Sequence, residues 1–198
     1  MDLPKADVTM TANDMSVVTV NVDVDGKIGK YLSVTLKDDF GNKLANKEVQ
    51  FSIDSTKFNV TTNENGVAEL QINIAKANVY TCAIAFLGDD TYKGAFEIVK
   101  VTVNKQSGKL TTKSASYKAK AKTKKLTATF KSAKGNTIKN KKITFKVKGK
   151  TYTAKTNAKG VATVKVKITA KGKYTFTAKF AGDNTYKAIS KSAKLTIK

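Results

Sequence analysis

Acidic side chains are the first place to look for chemistry in this 198-residue chain. Asp23-Val24-Asp25 sets two carboxylates one residue apart before a turn at Gly26-Lys27, and Asp38-Asp39 and Asp89-Asp90 lie in loop-like stretches. On an extended strand Asp23 and Asp25 share one face, and the loop acids could gather with them at a domain end. Calcium takes about six to eight oxygens, and no spacing here fixes that many. Asp23, Asp25, Asp89 and Asp90 are therefore calcium candidates without a complete ligand set, weighed against an ordinary solvated acidic edge.

Catalytic groups are scarce. Histidine, the usual acid–base side chain near neutral pH, is absent. Residues 106–198 hold a single carboxylate, Asp183, so no paired acids of a glycosidase type can form there. No phosphate-cradling glycine loop occurs, and the ligand sets of zinc and iron sites are missing. The composition speaks against an enzyme and implies no cofactor. Cys82 is the only cysteine, which excludes an intramolecular disulfide, and its strand phase marks it as a small buried apolar residue. Asn59-Val60-Thr61 has the form of an N-glycosylation acceptor. Phe58 and Val60 are expected to point inward, leaving Asn59 on the solvated face.

Lysine carries all the basic charge, since arginine is absent too. The charge is divided unevenly. Residues 1–105 carry 11 Lys against 14 acids, a net of −3, whereas residues 106–198 carry 26 Lys against Asp183, a net of +25. Lys146, Lys165, Lys167 and Lys179 alternate with inward apolar positions on several strands and are the polyanion-binding candidates. Guanine-reading arginine and stacking tryptophan are missing, so sequence-specific nucleic-acid binding is not expected. Lys and Thr alternation also describes a solvated sheet face that resists edge pairing.

The elements that must present these groups repeat. Shifted by 94 residues, 31–104 align without a gap on 125–198, with 24 identities among 74 positions. The identities fall mainly at turn residues and apolar strand positions: Gly41 with Gly135, Gly66 with Gly160, Tyr80 with Tyr174, and Gly88-Asp89 with Gly182-Asp183. Periodicity is two almost throughout. Ile143, Phe145 and Val147 alternate with lysine and threonine, as do Val164, Val166 and Ile168. Before the aligned stretch lie extended runs at Asp7–Met10 and Val17–Asp25. About seven strands per repeat predict an all-β chain of two tandem Ig-like antiparallel β-sandwiches. The boundaries are 1–104, mildly acidic, and 105–198, strongly basic, with a linker at about 104–109. So short a linker predicts domains end to end with limited bending.

Particular turns follow. Asn63–Gly66 and Asn157–Gly160 read as four-residue hairpin loops closing on glycine. In the Gly-Asp-x-Thr-Tyr-Lys loops the aspartate should cap amides while the tyrosine folds over the core end. Tyr80-x-Cys82 and Tyr174-x-Phe176 have the spacing of a tyrosine corner, so Tyr80 and Tyr174 should bond nearby backbone. No stretch nears 18 apolar residues, and Met1–Lys5 does not read as a leader, so a secreted parent implies an interior fragment.

These residues carry a family likeness. Gly-Asn…Phe…Thr-Asn-x-x-Gly-Val-Ala…Tyr…Phe-x-Gly-Asp-x-x-Tyr, over about 31–104 and 125–198, resembles the bacterial and archaeal Ig-like repeats of large surface proteins. The lysine-rich, arginine-free form is similar to those of methanogen adhesin-like proteins. The resemblance implies a non-enzymatic spacer and adhesion module at the cell surface, part of a larger protein and adjoining further repeats of it. Its partners would be cell-surface or cell-wall components. The alternative is an electrostatic module binding an anionic glycan or nucleic acid through the second domain, with no membrane insertion in this segment.

Overall fold

The computed structural model describes residues 3–198; Met1 and Asp2, which open the Met1–Lys5 segment, lie outside the described residues. Contacts divide the chain into two units. Unit 1 comprises the residues up to Val20 together with Lys27–Asn104; unit 2 comprises Asn21–Gly26 together with Lys105–Lys198.

Among the described residues unit 1 holds eight strands: β1 (Val8–Thr11), β2 (Met15–Val18), β3 (Tyr31–Asp38), β4 (Glu48–Ile53), β5 (Thr56–Thr61), β6 (Val67–Gln71), β7 (Asn78–Phe86) and β8 (Ala95–Asn104). They form a three-stranded sheet, β1-β3-β6, and a five-stranded sheet, β2-β8-β7-β4-β5. All pairings are antiparallel except β2 with β8. The period-two apolar positions turn inward between the sheets, burying Leu36, Phe51, Cys82, Ile84, Phe86 and Val101 in one cluster.

Unit 2 repeats the plan with β9 (Lys109–Thr112), β10 (Ala115–Tyr117), β11 (Lys125–Lys131), β12 (Lys142–Val147), β13 (Lys150–Lys155), β14 (Val161–Lys165), β15 (Gly172–Phe180) and β16 (Ile189–Ile197). Its sheets run β14-β11-β9 and β10-β16-β15-β12-β13. Phe130, Phe145, Phe176, Phe180 and Tyr186 fill its core. The Phe130 ring lies 4.6 Å from that of Phe180 and 5.6 Å from that of Tyr186, the latter edge-on. Each unit is thus an Ig-like β-sandwich, with one strand more than the period-two count anticipates.

Three local expectations are corrected. Val17–Asp25 is not extended throughout: β2 ends at Val18, and Val22–Asp25 forms a single helical turn, α1. The Asn21 carbonyl accepts the amides of Val24 and Asp25, and Gly26, at φ 75°, ends the turn. Alternating Val and Asp looks like a strand by period alone, but a single turn closed on the Asn21 and Val22 carbonyls accommodates the same residues. The loops at Asn63–Gly66 and Asn157–Gly160 are not hairpins; they carry the chain from the five-stranded to the three-stranded sheet. The true two-residue hairpins are Asp54-Ser55 and Lys148-Gly149, all four residues at positive φ as a type I′ turn requires. Phe58 is not buried. It pairs with Phe51 on the inner face, but β5 is the edge of a five-stranded sheet facing three strands, and Phe58 stays 40% exposed.

Gly66 and Gly160 repeat for a steric reason. Both have positive φ, and a Cβ would sit 2.6 Å from the Leu36 or Phe130 carbonyl oxygen.

Candidate functional site

The repeated Gly-Asp loops hold the most organised polar groups. Asp89 Oδ1 accepts the amides of Thr91 and Tyr92 at 2.9 and 2.8 Å, and Asp183 Oδ1 accepts those of Thr185 and Tyr186 at 2.8 Å. The other oxygen of each receives a lysine: Lys47 Nζ to Asp89 and Lys141 Nζ to Asp183, both at 2.6 Å. Each ammonium also lies over the following tyrosine ring, 4.9 Å from the Tyr92 centroid and 5.6 Å from that of Tyr186. Lys47 and the turn amides hold the Asp89 carboxyl down at about 2. Burial pushes Asp183 upward, but Lys141 and the two amides outweigh it and keep the carboxyl below its ordinary value. The lysine was not anticipated from sequence, although Lys47 and Lys141 are themselves 94 residues apart.

Tyr80 and Tyr174 each donate from the hydroxyl to a carbonyl four residues earlier, Lys76 and Ala170, at 2.7 Å. This is the backbone tether that their spacing suggests. Cys82 is fully buried, and burial pushes its thiol up to about 11, far from a reactive thiolate at neutral pH. Asn59 is exposed on β5, opposite Gln50.

The acidic candidates do not gather. Among the described residues no group of three or more acidic, histidine or cysteine side chains is placed to hold a metal. Asp89 is engaged as above, and Asp90 is exposed beside it. In α1, Asp23 and Asp25 lie on different sides of a helical turn, because successive helical residues advance by about 100°. Asp25 accepts hydrogen bonds from Ser132 and Asn136.

The four candidate lysines are all exposed. Lys146 on β12 and Lys179 on β15 stand on the outer face of the five-stranded sheet, Lys165 lies on β14 of the other sheet, and Lys167 follows it. On the five-stranded face Lys146 lies opposite Thr177, and Lys179 opposite Thr144 and Ser190. The hydroxyls of Thr177 and Ser192 hydrogen-bond at 2.8 Å, and Lys194 Nζ donates to Thr175 at 2.7 Å. The face is a surface of lysines and hydroxyls.

The same register in unit 1 carries different chemistry. Ser52, Ala83, Ala85, Phe96 and Ile98 take the places of Lys146, Thr177, Lys179, Ser190 and Ser192. Phe96 is 63% and Ile98 52% exposed. Their outward phase follows from inward Val99, Val101 and Val103, but charged Glu97 falls in the inward phase between them and obscures that signal. Lys124 was also missed. It is buried, and its ammonium donates to the carbonyls of Ala119 and Ala121 at 3.1 Å, so it does not belong to the charged surface.

With this geometry in place, residues 110–198, spanning the strands of unit 2, match the model of a bacterial Ig-like domain (group 3). The match is to a bacterial family, and the methanogen likeness gains no support from it. No curated protein sequence matches the chain. Among solved structures, the chain resembles invasin, a bacterial integrin-binding protein, with a TM-score of 0.55 and 18% identity over 96% of this chain and 40% of that one. Titin domains Z1Z2 in complex with telethonin give 0.48 and 12% over 99% and 98%, and the D0–D1 domain of intimin gives 0.34 and 17% over 95% and 97%. The chain thus spans less than half of the invasin structure, and at these identities the likeness is one of fold. Among the described residues no helix is long and apolar enough to cross a membrane.

Proposed function

We propose that this chain is a non-enzymatic tandem Ig-like segment of an extracellular, cell-surface adhesin-like protein. Unit 2 contacts an anionic polymer of a cell surface or wall, and unit 1 acts mainly as a spacer. One observation supports this reading above the others. Where unit 1 carries Ser52, Ala85, Phe96 and Ile98, unit 2 carries Lys146, Lys179, Ser190 and Ser192 on the same sheet face. Either set satisfies the sandwich, so folding does not require the lysines. Lysines spread over both sheets favour diffuse electrostatic capture over a shaped site. The test is a binding titration of the full chain against heparin, double-stranded DNA and a neutral dextran. Binding to the polyanions alone is expected, weakened by replacing Lys146, Lys165, Lys167 and Lys179 with glutamine.

A second reading rests on the exposed Phe96 and Ile98 of unit 1, flanked by Ala83 and Ala85. A flat apolar sheet face suits a folded protein partner. Saturable binding that ignores salt and is lost in Phe96→Ser would favour it.

A further inference from the structure

The register of the two repeats locates an insertion. At their starts the repeats are offset by 100 residues: Ala6 and Gln106 bridge Tyr92 and Tyr186, and Met15 and Ala115 pair with Val101 and Leu195. Thr19 and Ala119 donate to the carbonyls of Asn104 and Lys198. From Lys30 and Lys124 onward, whose carbonyls receive Ile72 and Val166, the offset is 94. The difference is the length of Asn21–Gly26, the segment that contacts place in unit 2.

That segment meets a turn whose chemistry differs between the repeats. In unit 1, Asp38 completes its own turn. Its Oδ1 accepts the amides of Phe40 and Asn42 at 2.9 and 2.8 Å, and its Oδ2 accepts Asn42 Nδ2 at 2.9 Å. Ninety-four residues on, Ser132 replaces Asp38 and Asn136 replaces Asn42. Ser132 Oγ accepts the Asn136 amide at 3.3 Å, and the missing carboxylate comes from Asp25. Asp25 Oδ1 accepts Ser132 Oγ at 2.7 Å and Asn136 Nδ2 at 2.8 Å. Asn21 Nδ2 donates to the Tyr186 hydroxyl at 3.3 Å, and Val24 packs against the unit 2 core.

We propose that the Ser132–Asn136 turn is a receptor for an acidic segment, and that its first residue decides whether such a segment is taken. Serine leaves the carboxylate position open and offers a hydroxyl donor. Aspartate, as at Asp38, fills the position itself and repels a second carboxylate. The partner it fits is a short turn that presents one carboxylate beside an apolar side chain, as Val24-Asp25 does.

Amide hydrogen exchange on the full chain tests this. Ser132→Asp should speed exchange at Val24, Asp25 and Gly26 by roughly tenfold or more, and adding Asp25→Asn should restore part of the protection. In a chain lacking residues 21–26 the sign should reverse, with Ser132→Asp slowing exchange across 132–136 by rebuilding the unit 1 arrangement. Asp25→Ala alone provides a check that does not depend on Ser132→Asp folding, and should deprotect the same three amides. Additive effects of Ser132→Asp and Asp25→Asn would overturn the proposal. So would the same effect of Ser132→Asp in both backgrounds, or no change in Asp25→Ala.

Discussion

Lys141 and Asp183 meet at 2.6 Å, as Lys47 and Asp89 do 94 residues earlier. The one carboxylate in residues 106–198 is therefore committed to a structural ion pair, and the remaining lysines of that stretch have no acid of their own to neutralise them. The carboxyls of both pairs sit below their ordinary value in the folded protein. Folding is thus favoured wherever they are ionised, fully above the unfolded value near 3.8; the Asp89 contribution disappears as pH falls through about 2, and that of Asp183 as pH falls through its own lowered value. Thermal melts should show the midpoint dropping between about pH 4 and pH 2. Asp89→Asn with Asp183→Asn should lower it at neutral pH and flatten that acid-side decline; an unchanged acid limb would count against the pairs.

Cys82 gives a direct report on unit 1. Its burial and a thiol held at about 11 predict that a thiol reagent at neutral pH labels the native protein slowly, at a rate limited by opening of the sandwich. Labelling should become rapid in denaturant. Fast labelling of the folded chain would mean that the unit 1 core is not closed around β7.

Phe145 gives the equivalent report on unit 2. It is fully buried on β12 between the two sheets, and Phe145→Ala should cost about 3–5 kcal/mol in denaturant unfolding. Phe58→Ala, at an exposed edge position, should cost far less.

The turn glycines separate strain from crowding. Gly135 and Gly160 both have positive φ, but a Cβ at Gly135 meets nothing within 4 Å, whereas one at Gly160 meets the Phe130 carbonyl oxygen at 2.6 Å. Gly135→Ala should cost about 1–2 kcal/mol from backbone conformation alone, and Gly160→Ala clearly more. Equal losses in unfolding experiments would contradict this assignment.

Much of the fold is legible in the chain because each strand buries one face, and that leaves a period of two. Phe51, Phe86, Phe145 and Phe180 fall inward on this rule, and Tyr80 and Tyr174 find their carbonyls four residues back. The misses have local causes. Val22–Asp25 alternates like a strand yet closes as one turn on the Asn21 and Val22 carbonyls. Phe58 has the inward phase but lies on an edge that no opposing strand covers. Lys124 looks like one more surface charge until its ammonium meets two backbone carbonyls. The bonds of Asp25 to Ser132 and Asn136 join residues more than 100 positions apart, a pairing that no periodicity encodes.

The most direct test of the lysine surface is heparin binding by the full chain at 50 and 200 mM salt, with and without glutamine at Lys146, Lys165, Lys167 and Lys179. The expected result is a loss of about 10³-fold or more between the two salts if six or more charges engage. The substituted chain should show a shallower salt dependence with its melting temperature unchanged. Binding that does not respond to salt, or that keeps its strength and salt slope after the four substitutions, would contradict an electrostatic role for this face.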